Sequence, residues 1–367
     1  MKVGILTLPL HTNYGGILQA YALQTVLKRM GHEAIVLDQG WKEQTVLRLL
    51  IGSFKWFVKS LLSGERLYPP AKVQAIVGRN IKPFILKHIQ PRYVIDNVLN
   101  IKKLHLDAIV VGSDQVWRKY YTSHISYYYL DFARNWNIKR VVYGASFGID
   151  QWDYTPKETE ECKRLLSLFS GISVREESAK QLCSQYLCQY AEVVLDPTML
   201  LEQTDYRSLI PDNMTDIPGE LLCYVLDENV EIERIISVIS KKLHYNPYHI
   251  NIEQQKGLKL SELSPKQSVE SWLQGFIQAK FVVTDSFHGC VFSILFNKPF
   301  LVLGNRDRGM ARFTSLLSLF DLSDRLISSL EEVEEKIEIV IDWNSINERL
   351  KSLREKSLSY LFSNLIP

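Results

Sequence analysis

Short apolar runs alternate with amphipathic stretches along most of the chain. Residues 2–8 (KVGILTL) are mainly apolar, residues 17–31 place apolar side chains at helical spacing up to Gly31, and residues 33–39 (EAIVLDQ) are again mainly apolar. This order of strand, glycine-containing loop, helix and strand predicts a βαβ unit with parallel strands. The same alternation returns in residues 107–117, 140–148, 171–178 and 192–198, so we expect a parallel sheet buried on both faces.

The periodicity breaks at residues 196–219, where prolines, aspartates and small polar residues predict a linker. The second half repeats the alternation, with strands expected in residues 220–227, 248–252, 280–289 and 299–305. The predicted fold class is therefore α/β, with two Rossmann-like lobes facing across a cleft, where ligands bind at the carboxyl ends of the strands. The predicted units are an N-terminal lobe of residues 1–196, a C-terminal lobe of residues 197–342 and a long closing C-terminal helix of residues 343–367.

Length and composition agree with a two-domain enzyme. A chain of 367 residues exceeds the ~250–300 residues at which single cores stop growing. The formal net charge of +2 argues against nucleic-acid binding through bulk electrostatics. Five cysteines without a CxxC pair favour a reducing compartment and form no metal-ligand pattern. Because neither a signal-peptide pattern nor an uninterrupted apolar run of ~20 residues is found, we expect a cytoplasmic protein.

Residues 47–64 depart from the pattern of the lobes. Arg48, Lys55 and Lys59 fall on a narrow stripe at helical spacing, and apolar residues cover most of the remaining circumference. Such a helix is typical of a membrane interface and would give a peripheral contact at the inner face of the cell membrane. The simpler alternative is packing against the domain, or against a second copy of the chain in a homo-oligomer.

The clearest candidate site is the stretch TDSFHG, which starts at residue 284 between an apolar run and a helical pattern. We expect Ser286 to Gly289 to form a turn whose helix-start amides, those of Gly289 and Cys290, stabilise an anion. Gly289 allows the backbone to approach a ligand closely, and His288 can hold or release a proton near neutral pH. The alternative is that the acid and the serine only cap the helix while the histidine packs beneath it.

Three other strand ends carry polar residues. The loop with Asn13 and Gly15 offers another anion-tolerant helix start, although it lacks the GxGxxG pattern of a dinucleotide site. In VGSDQVWR, Asp114 belongs to a mixture that is typical of a sugar-binding rim and equally of an ordinary turn. In SVREESA, Arg175 leaves a strand and opens a helix, as a ligand group or as part of a surface ion pair.

The stretch GNRDRGMARF contains three arginines, in the same lobe as His288. They are Arg306, Arg308 and Arg312. Guanidinium groups bind phosphate and carboxylate with two parallel hydrogen bonds, so this loop suits an anionic ligand. The alternative is a solvated loop in which Asp307 neutralises the arginines.

Taken in order, these motifs resemble one protein family. From the first strand to about Leu322 the chain is similar to the polysaccharide pyruvyltransferases, through ILTLPLHTNYGGILQAYALQ, VGSDQVWR, YGASFG, ISVREESA, VVLDPTMLL, VVTDSFHGCVFSILFNKPF and MARFTSLLSLFDLSDR. The resemblance implies a GT-B-like fold. It also implies an enzyme that takes phosphoenolpyruvate as co-substrate, without a cofactor or metal, and places a pyruvate ketal on a sugar of a surface polysaccharide or its lipid-linked precursor.

The resemblance leads to a set of expected roles, with the acceptor on the N-terminal lobe and the donor on the C-terminal lobe. By position, His288 and Arg175 match family residues that are associated with the donor. We expect His288 to act as the acid or as a clamp on phosphate, and Asp114 as the base for the acceptor hydroxyl. The expected donor-binding residues are Arg175, Ser286, Gly289, Arg306, Arg308 and Arg312. The expected acceptor-binding residues are Asn13, Tyr14, Gly15, Gln115 and Trp117.

Two other functions fit the same pattern. A GT-B glycosyltransferase with a nucleotide-sugar donor would need an acidic residue for the ribose, for which Asp227 and Glu253 are candidates outside any recognisable motif. A non-catalytic saccharide-binding protein is the other alternative. The number of cationic residues at strand ends argues against it, because neutral sugars do not need so many positive donors.

Overall fold

The computed structural model describes residues 1–39, 70–122, 124–227, 229–250, 262–304 and 310–366. Three expectations concern residues outside these ranges: the amphipathic helix of residues 47–64, the arginine pair Arg306 and Arg308, and Glu253 as a ribose ligand. No helix in the described ranges combines the length and the apolar character that a membrane span requires.

The first sheet is parallel throughout. Its strands are β1 (Lys2–Leu6), β2 (Glu33–Asp38), β3 (Arg92–Val94), β4 (Ala108–Val111), β5 (Lys139–Ala145), β6 (Gly171–Val174) and β7 (Glu192–Val193). They pair in parallel in the order β3-β2-β1-β4-β5-β6-β7. The predicted strands are confirmed, with two differences at the edges. β3 was not predicted, and β7 is exposed at both residues rather than buried on both faces.

The second sheet has the same character and is also wholly parallel. Its strands are β8 (Leu221–Tyr224), β9 (Pro247–His249), β10 (Phe281–Thr284), β11 (Phe300–Leu303) and β12 (Leu326–Ile327). The order is β12-β11-β10-β8-β9. The two-residue strand β12 was not predicted, because it is too short to show an apolar period.

Helices connect the strands and cover both sheets. They are α1 (Tyr14–Arg29), α2 (Pro70–Val77), α3 (Lys82–His88), α4 (Pro156–Leu166), α5 (Glu177–Leu187), α6 (Gln203–Arg207), α7 (Val230–Leu243), α8 (Val269–Gln278), α9 (Phe287–Leu295), α10 (Met310–Leu319), α11 (Glu331–Lys336) and α12 (Trp343–Asn364). Helix α1 ends at Arg29, and Gly31 then takes a φ of 86°, a conformation that favours glycine. Short 3-10 helices include Lys119–Tyr121 and Pro197–Leu200.

The core follows the alternation of side chains along the strands. On β1, Val3 and Ile5 belong to one buried cluster, whereas Leu6 belongs to the cluster on the other face of the sheet. The first cluster is continuous between the two lobes, since the ring of Tyr14 stacks on Trp272 with centroids 5.6 Å apart. This shared core fixes the start of α1 against the second lobe.

The C-terminal helix α12 packs against the first lobe, a placement that the sequence did not predict. The hydroxyl of Tyr360 donates to the carbonyl of Val142 on β5 at 2.8 Å. The backbone amide of Leu195 donates to Ser357 Oγ at 3.0 Å, and Arg354 Nε donates to the carbonyl of Met199 at 2.8 Å. The lobe boundaries at residues 196 and 342 stay predictions.

Candidate active site

A cavity of about 470 Å³ lies where the carboxyl ends of β1, β4, β8 and β10 meet. The first lobe lines it with Thr12, Asn13, Val73, Val77, Asp114, Gln115, Arg118 and Tyr121. The second lobe lines it with Tyr224, Leu226, Lys266, Asp285, Ser286, Phe287, His288 and Arg312. Strand-end loops from both sheets therefore converge on one site, which is where open α/β sheets bind ligands.

The stretch TDSFHG forms the start of α9, but the helix begins earlier than expected. Ser286 is the N-cap residue, and its Oγ accepts the backbone amide of Gly289 at 3.4 Å. The amide of Cys290 donates to the carbonyl of Ser286 at 3.0 Å. The expectation that these two amides face an anion is therefore wrong, because both bond within the helix. The amides of Phe287 and His288 are the first two of the helix and have no acceptor within it.

Gly289 has a packing role that differs from the predicted contact with the donor. A Cβ atom at this position would lie 2.1 Å from Oγ1 of Thr284, the last residue of β10. The hydroxyl of Thr284 in turn donates to the carbonyl of Tyr224 at 2.6 Å and accepts the amide of Ser286 at 3.0 Å. The glycine thus lets α9 start directly against its strand.

Asp285 fixes the neighbouring strand end instead of capping α9. Its carboxylate accepts the backbone amides of Leu226 at 2.7 Å and of Asp227 at 3.0 Å. The capping alternative is confirmed for Ser286 and wrong for Asp285. Both residues still line the cavity, so a structural role and a place at the site coincide here.

His288 lies where the starts of α1 and α9 meet. Its residue is 6% exposed and borders the cavity. Nε2 of the imidazole is 3.7 Å from Oδ2 of Asp196. On the other side, a Cβ atom on Gly15 would lie 2.0 Å from Nδ1. The predicted acceptor contact of Gly15 is corrected accordingly: this glycine makes room for the imidazole.

Asp196 is the buried anion beside His288. It follows the strand β7 after a short loop. Its Oδ2 accepts Arg175 Nη1 at 2.8 Å and also the amide of Gln19, and its Oδ1 accepts Thr198 Oγ1 at 2.7 Å. Burial by itself would raise the pKa of Asp196, but His288 and Arg175 hold that pKa well below its usual range. Asp196 is therefore an ionised anchor, and the sequence analysis did not single it out.

Arg175 occupies the space behind the cavity wall. Its side chain is 1% exposed and pairs with Asp114 at 3.2 Å, Asp196 at 2.8 Å and Glu176 at 3.9 Å. Burial acts to lower the pKa of Arg175, but the three carboxylates raise it above its ordinary value. Arg175 is absent from the cavity lining, so it is neither the surface ion pair nor the direct ligand group that the sequence suggested.

Asp114 lines the cavity with an unusual backbone. Its φ of 74° lies in the left-handed region, which costs a non-glycine residue roughly 1–3 kcal/mol and occurs most often at functional sites. Oδ1 pairs with Arg175, and Oδ2 accepts Nδ2 of Asn13 at 3.5 Å. Gly112 precedes this turn, where a Cβ atom would lie 2.1 Å from the carbonyl oxygen of Tyr143. The carboxylate is thus held in place from both sides.

The predicted acceptor residues fall into two groups. Asn13 and Gln115 line the cavity, and Gln115 Oε1 accepts Arg118 Nη1 at 2.9 Å. Tyr14 and Trp117 are fully buried and line no part of it. The hydroxyl of Tyr14 donates to the carbonyl of Gln267 at 2.7 Å, and Trp117 stacks on Tyr129 with centroids 5.1 Å apart. Their predicted sugar contacts are corrected, because both aromatic rings are needed for packing.

Arg312 is the member of the predicted arginine loop that the structure describes. It lies on α10 rather than in a loop, is 8% exposed and lines the cavity. Its Cζ is 5.6 Å from the ring centroid of Phe287, and Cζ of Arg175 is 4.5 Å from the same centroid. Burial and the charge of Arg175 lower the pKa of Arg312 to about 10, so it remains a cation at neutral pH.

The cavity residues that were not predicted from the sequence include Arg118, Tyr121 and Lys266. Arg118 is the last residue of VGSDQVWR and Tyr121 lies three positions further along the chain, so the strand-end signal extended beyond the residues we selected. Lys266 lies before α8 and approaches the ring of Tyr14 at 5.7 Å, which no local pattern indicates. Within the ranges that the structure describes, no group of three or more His, Cys, Asp or Glu residues could hold a metal ion.

Solved structures of low sequence identity share the architecture. S. aureus MnaA, in a co-structure with UDP, has a TM-score of 0.52 and 14% identity, covering 100% of this chain and 98% of its own. The UDP-GlcNAc 2-epimerase of Methanocaldococcus jannaschii has a TM-score of 0.49 and 15% identity. The match covers 96% of this chain and 99% of the epimerase chain. The likeness to MnaA shows the fold alone: a GT-B-like α/β arrangement of two parallel sheets with a helical C-terminus.

Comparison at the level of families is more informative. No match is found among curated proteins. The family model described as polysaccharide pyruvyl transferase matches residues 13–308, which include the starts of α1 and α9 and the Asp114 turn. This match spans most of the chain and both walls of the cavity. The chain belongs to the polysaccharide pyruvyl transferase family.

Proposed function

We propose that this protein transfers pyruvate from phosphoenolpyruvate to a sugar of a surface polysaccharide or its lipid-linked precursor, where it forms a ketal. The observation that carries the proposal is an anion-binding corner, in which Arg312, His288 and the first amides of α9 border one cavity. Phosphoenolpyruvate is a compact polyanion, and buried cations with helix-start amides are the groups that bind such a ligand. Family membership supports a sugar as the acceptor.

The proposed reaction needs one acid and at least one base. The methylene carbon of phosphoenolpyruvate takes a proton, and a sugar hydroxyl attacks the neighbouring carbon and loses its own proton. The bond from that carbon to the phosphate oxygen then breaks. A second hydroxyl of the sugar attacks the same carbon and closes the ketal. Two protons leave the hydroxyls, one enters the methyl group and one leaves with the phosphate, so the atoms and charges balance.

The two walls offer groups for these steps. Asp114 is our proposed base, since it is a carboxylate that lines the cavity with its position fixed by Arg175 and Asn13. His288 supplies the proton or, when protonated, clamps the leaving phosphate, and the Asp196 carboxylate orients its ring. General acid–base assistance of this kind contributes about 10²–10⁴-fold in rate. Holding the donor on one lobe and the acceptor on the other supplies further acceleration through positioning.

A direct assay tests the proposal. The protein is incubated with phosphoenolpyruvate and a panel of methyl glycosides and bacterial polysaccharides, and released phosphate and pyruvylated product are measured together. We expect one phosphate for each ketal, detected by mass spectrometry. A UDP-sugar is supplied in parallel as the donor, and glycosyl transfer from it without phosphoenolpyruvate would contradict the proposal.

A variant assigns the chemistry to the cavity. We expect His288→Ala to lose about 10²–10⁴-fold in turnover while its circular dichroism stays unchanged. The matched control is His124→Ala, because the side chain of His124 is 69% exposed and pairs with Asp131 away from the cavity lining. Turnover near that of the wild type in His288→Ala would exclude His288 from the chemical step.

A further inference from the structure

Two exposed tyrosines stand beside the cavity on the first lobe. Tyr121 lines the cavity and is 49% exposed, and the adjacent Tyr120 is 83% exposed. Both belong to the 3-10 helix Lys119–Tyr121, and their ring centroids lie 5.5 Å apart at an interplanar angle of 76°. Aromatic side chains bury a large area and dominate binding energetics, so two exposed rings at the mouth of a cavity indicate a surface that a ligand covers.

The segment that carries these rings is anchored on both sides. Cζ of Arg118 lies 5.7 Å from the ring centroid of Tyr120 and 5.5 Å from that of Tyr121. The guanidinium of Arg118 also donates to Gln115 Oε1 at 2.9 Å, and Gln115 is buried. Lys119 Nζ pairs with Glu158 Oε2 at 2.6 Å. Because these contacts hold the segment in place, binding here requires little ordering of the protein.

The chemistry of the rings selects against the donor and for a sugar. The face of an aromatic ring carries partial negative charge, so it disfavours a polyanion such as phosphoenolpyruvate. The face of a pyranose ring is apolar and uncharged, while its edge carries hydroxyls. Arg118 and Gln115 lie next to Tyr121 in the cavity lining and offer hydrogen-bonding groups to such an edge.

The position of the rings relative to the other wall agrees with this assignment. Tyr121 and Asp114 line the same cavity from the first lobe, whereas His288 and Arg312 line it from the second. Tyr121 is also close enough to Arg312 to contribute to the electrostatic environment of that guanidinium. A ring held on Tyr121 would therefore lie between the proposed base and the anion-binding corner. Tyr120 is more exposed and lies outside the cavity lining, so it is placed to contact the part of a ligand that extends beyond the cavity.

We propose that Tyr121, Tyr120 and Arg118 form a saccharide-stacking platform. Tyr121 holds the sugar that receives the pyruvate, and Tyr120 contacts the next sugar of the same chain, so the preferred acceptor is longer than a monosaccharide. The assignment of Tyr121 to the reacting sugar rests on the proposed function. The proposal that the platform binds a saccharide does not rest on the proposed function, since it needs only a neutral sugar ring in the cavity.

The test measures saccharide binding without turnover. Saturation-transfer NMR is recorded with methyl glycosides of glucose, galactose, mannose and their N-acetylamino sugars, and with the corresponding disaccharides. We expect binding to the wild type, roughly tenfold weaker binding to Tyr121→Ala, and near-normal binding to Tyr121→Phe, which keeps the ring. Tyr120→Ala should weaken disaccharide binding and leave monosaccharide binding unchanged. Tyr190→Ala is the control, because Tyr190 is 74% exposed and lies outside the cavity lining.

The outcomes separate the platform from the proposed reaction. The melting shift caused by phosphoenolpyruvate is measured on the same variants and should not change. If Tyr121→Ala binds saccharides as tightly as the wild type, or if no saccharide of the panel binds the wild type, the platform is overturned. If saccharide binding depends on Tyr121 but phosphoenolpyruvate does not bind, the platform stands and pyruvyl transfer is overturned.

Discussion

Arg175 and Arg312 both lie close to the ring of Phe287, yet their surroundings differ. Arg175 pairs with three buried carboxylates, and its pKa is raised. Arg312 lines the cavity, and burial lowers its pKa to about 10. The first cation holds buried acids in place, and the second faces the cavity. Two arginines that look equivalent as strand-end residues in the sequence therefore have different roles, decided by their partners.

The largest expected effect is on stability and concerns Arg175. We expect Arg175→Met to lower the free energy of unfolding by about 3–5 kcal/mol, because it leaves buried carboxylates without their cation. Denaturant unfolding measures the change. Lys180→Met is the control, since Lys180 forms a solvent-exposed pair with Glu177, which should contribute far less to the free energy of unfolding. Equal losses in both variants would refute the structural role of Arg175.

The next largest effect is on turnover and distinguishes Gly15 from Gly16 at the start of α1. In Gly15→Ala the new Cβ atom would meet His288 Nδ1 at 2.0 Å, so we expect the imidazole to shift and turnover to fall about 10²-fold. In Gly16→Ala the nearest atom would be Asn13 Nδ2 at 3.3 Å, a side chain that can yield slightly. Steady-state kinetics should therefore show a much smaller loss. Comparable losses would mean that contact with His288 does not matter.

A smaller effect is expected at Arg312. Replacing it by methionine removes a charged donor from the cavity. We therefore expect KM for phosphoenolpyruvate to rise about tenfold, which corresponds to a loss of roughly 1.5 kcal/mol of binding free energy. The free energy of unfolding should stay near that of the wild type, in contrast to Arg175→Met. If Arg312→Met has an unchanged KM and a reduced free energy of unfolding, Arg312 has the structural role instead of the ligand-binding one.

The smallest expected effect is a pH dependence. The pKa of Asp196 is below its ordinary value of 3.8 in the folded protein, so its ionisation stabilises the fold above that value. This contribution is lost as the pH falls below about 5 toward the folded pKa. We expect the stability difference between wild type and Asp196→Asn to shrink over this range in acid-limb melting curves. A difference that stays constant would show that the charge of Asp196 is not involved.

Sequence periodicity was a good guide to the sheets and a poorer one to the starts of helices. The longer apolar runs became strands, whereas β3 and β12 have only three and two residues. Gly15 and Gly289 both lie within the first turns of helices that we predicted to start later. Glycine weakens the apolar signal there, while the cap residue and close packing set the true start.

The site was predictable where residues sit at strand ends and not where distant segments meet. Asn13, Asp114, Gln115, His288 and Arg312 line one cavity, as the convergence of parallel strands requires. The contact between Gln19 and Asp196 joins residues 177 positions apart, and no local pattern reports such a pair. Trp117 shows the converse error, because a strand-end aromatic residue can turn into the core instead of the cleft.

The central claim is that the cavity binds phosphoenolpyruvate through its second wall, and ligand-induced stabilisation tests it most directly. Thermal melting of wild type and His288→Ala is compared with phosphoenolpyruvate, inorganic phosphate, UDP and GDP. At 100 times its dissociation constant a ligand adds roughly 2.7 kcal/mol to the free energy of unfolding. We predict that phosphoenolpyruvate stabilises the wild type and that His288→Ala loses this effect. Stabilisation by UDP or GDP without any response to phosphoenolpyruvate would contradict the claim.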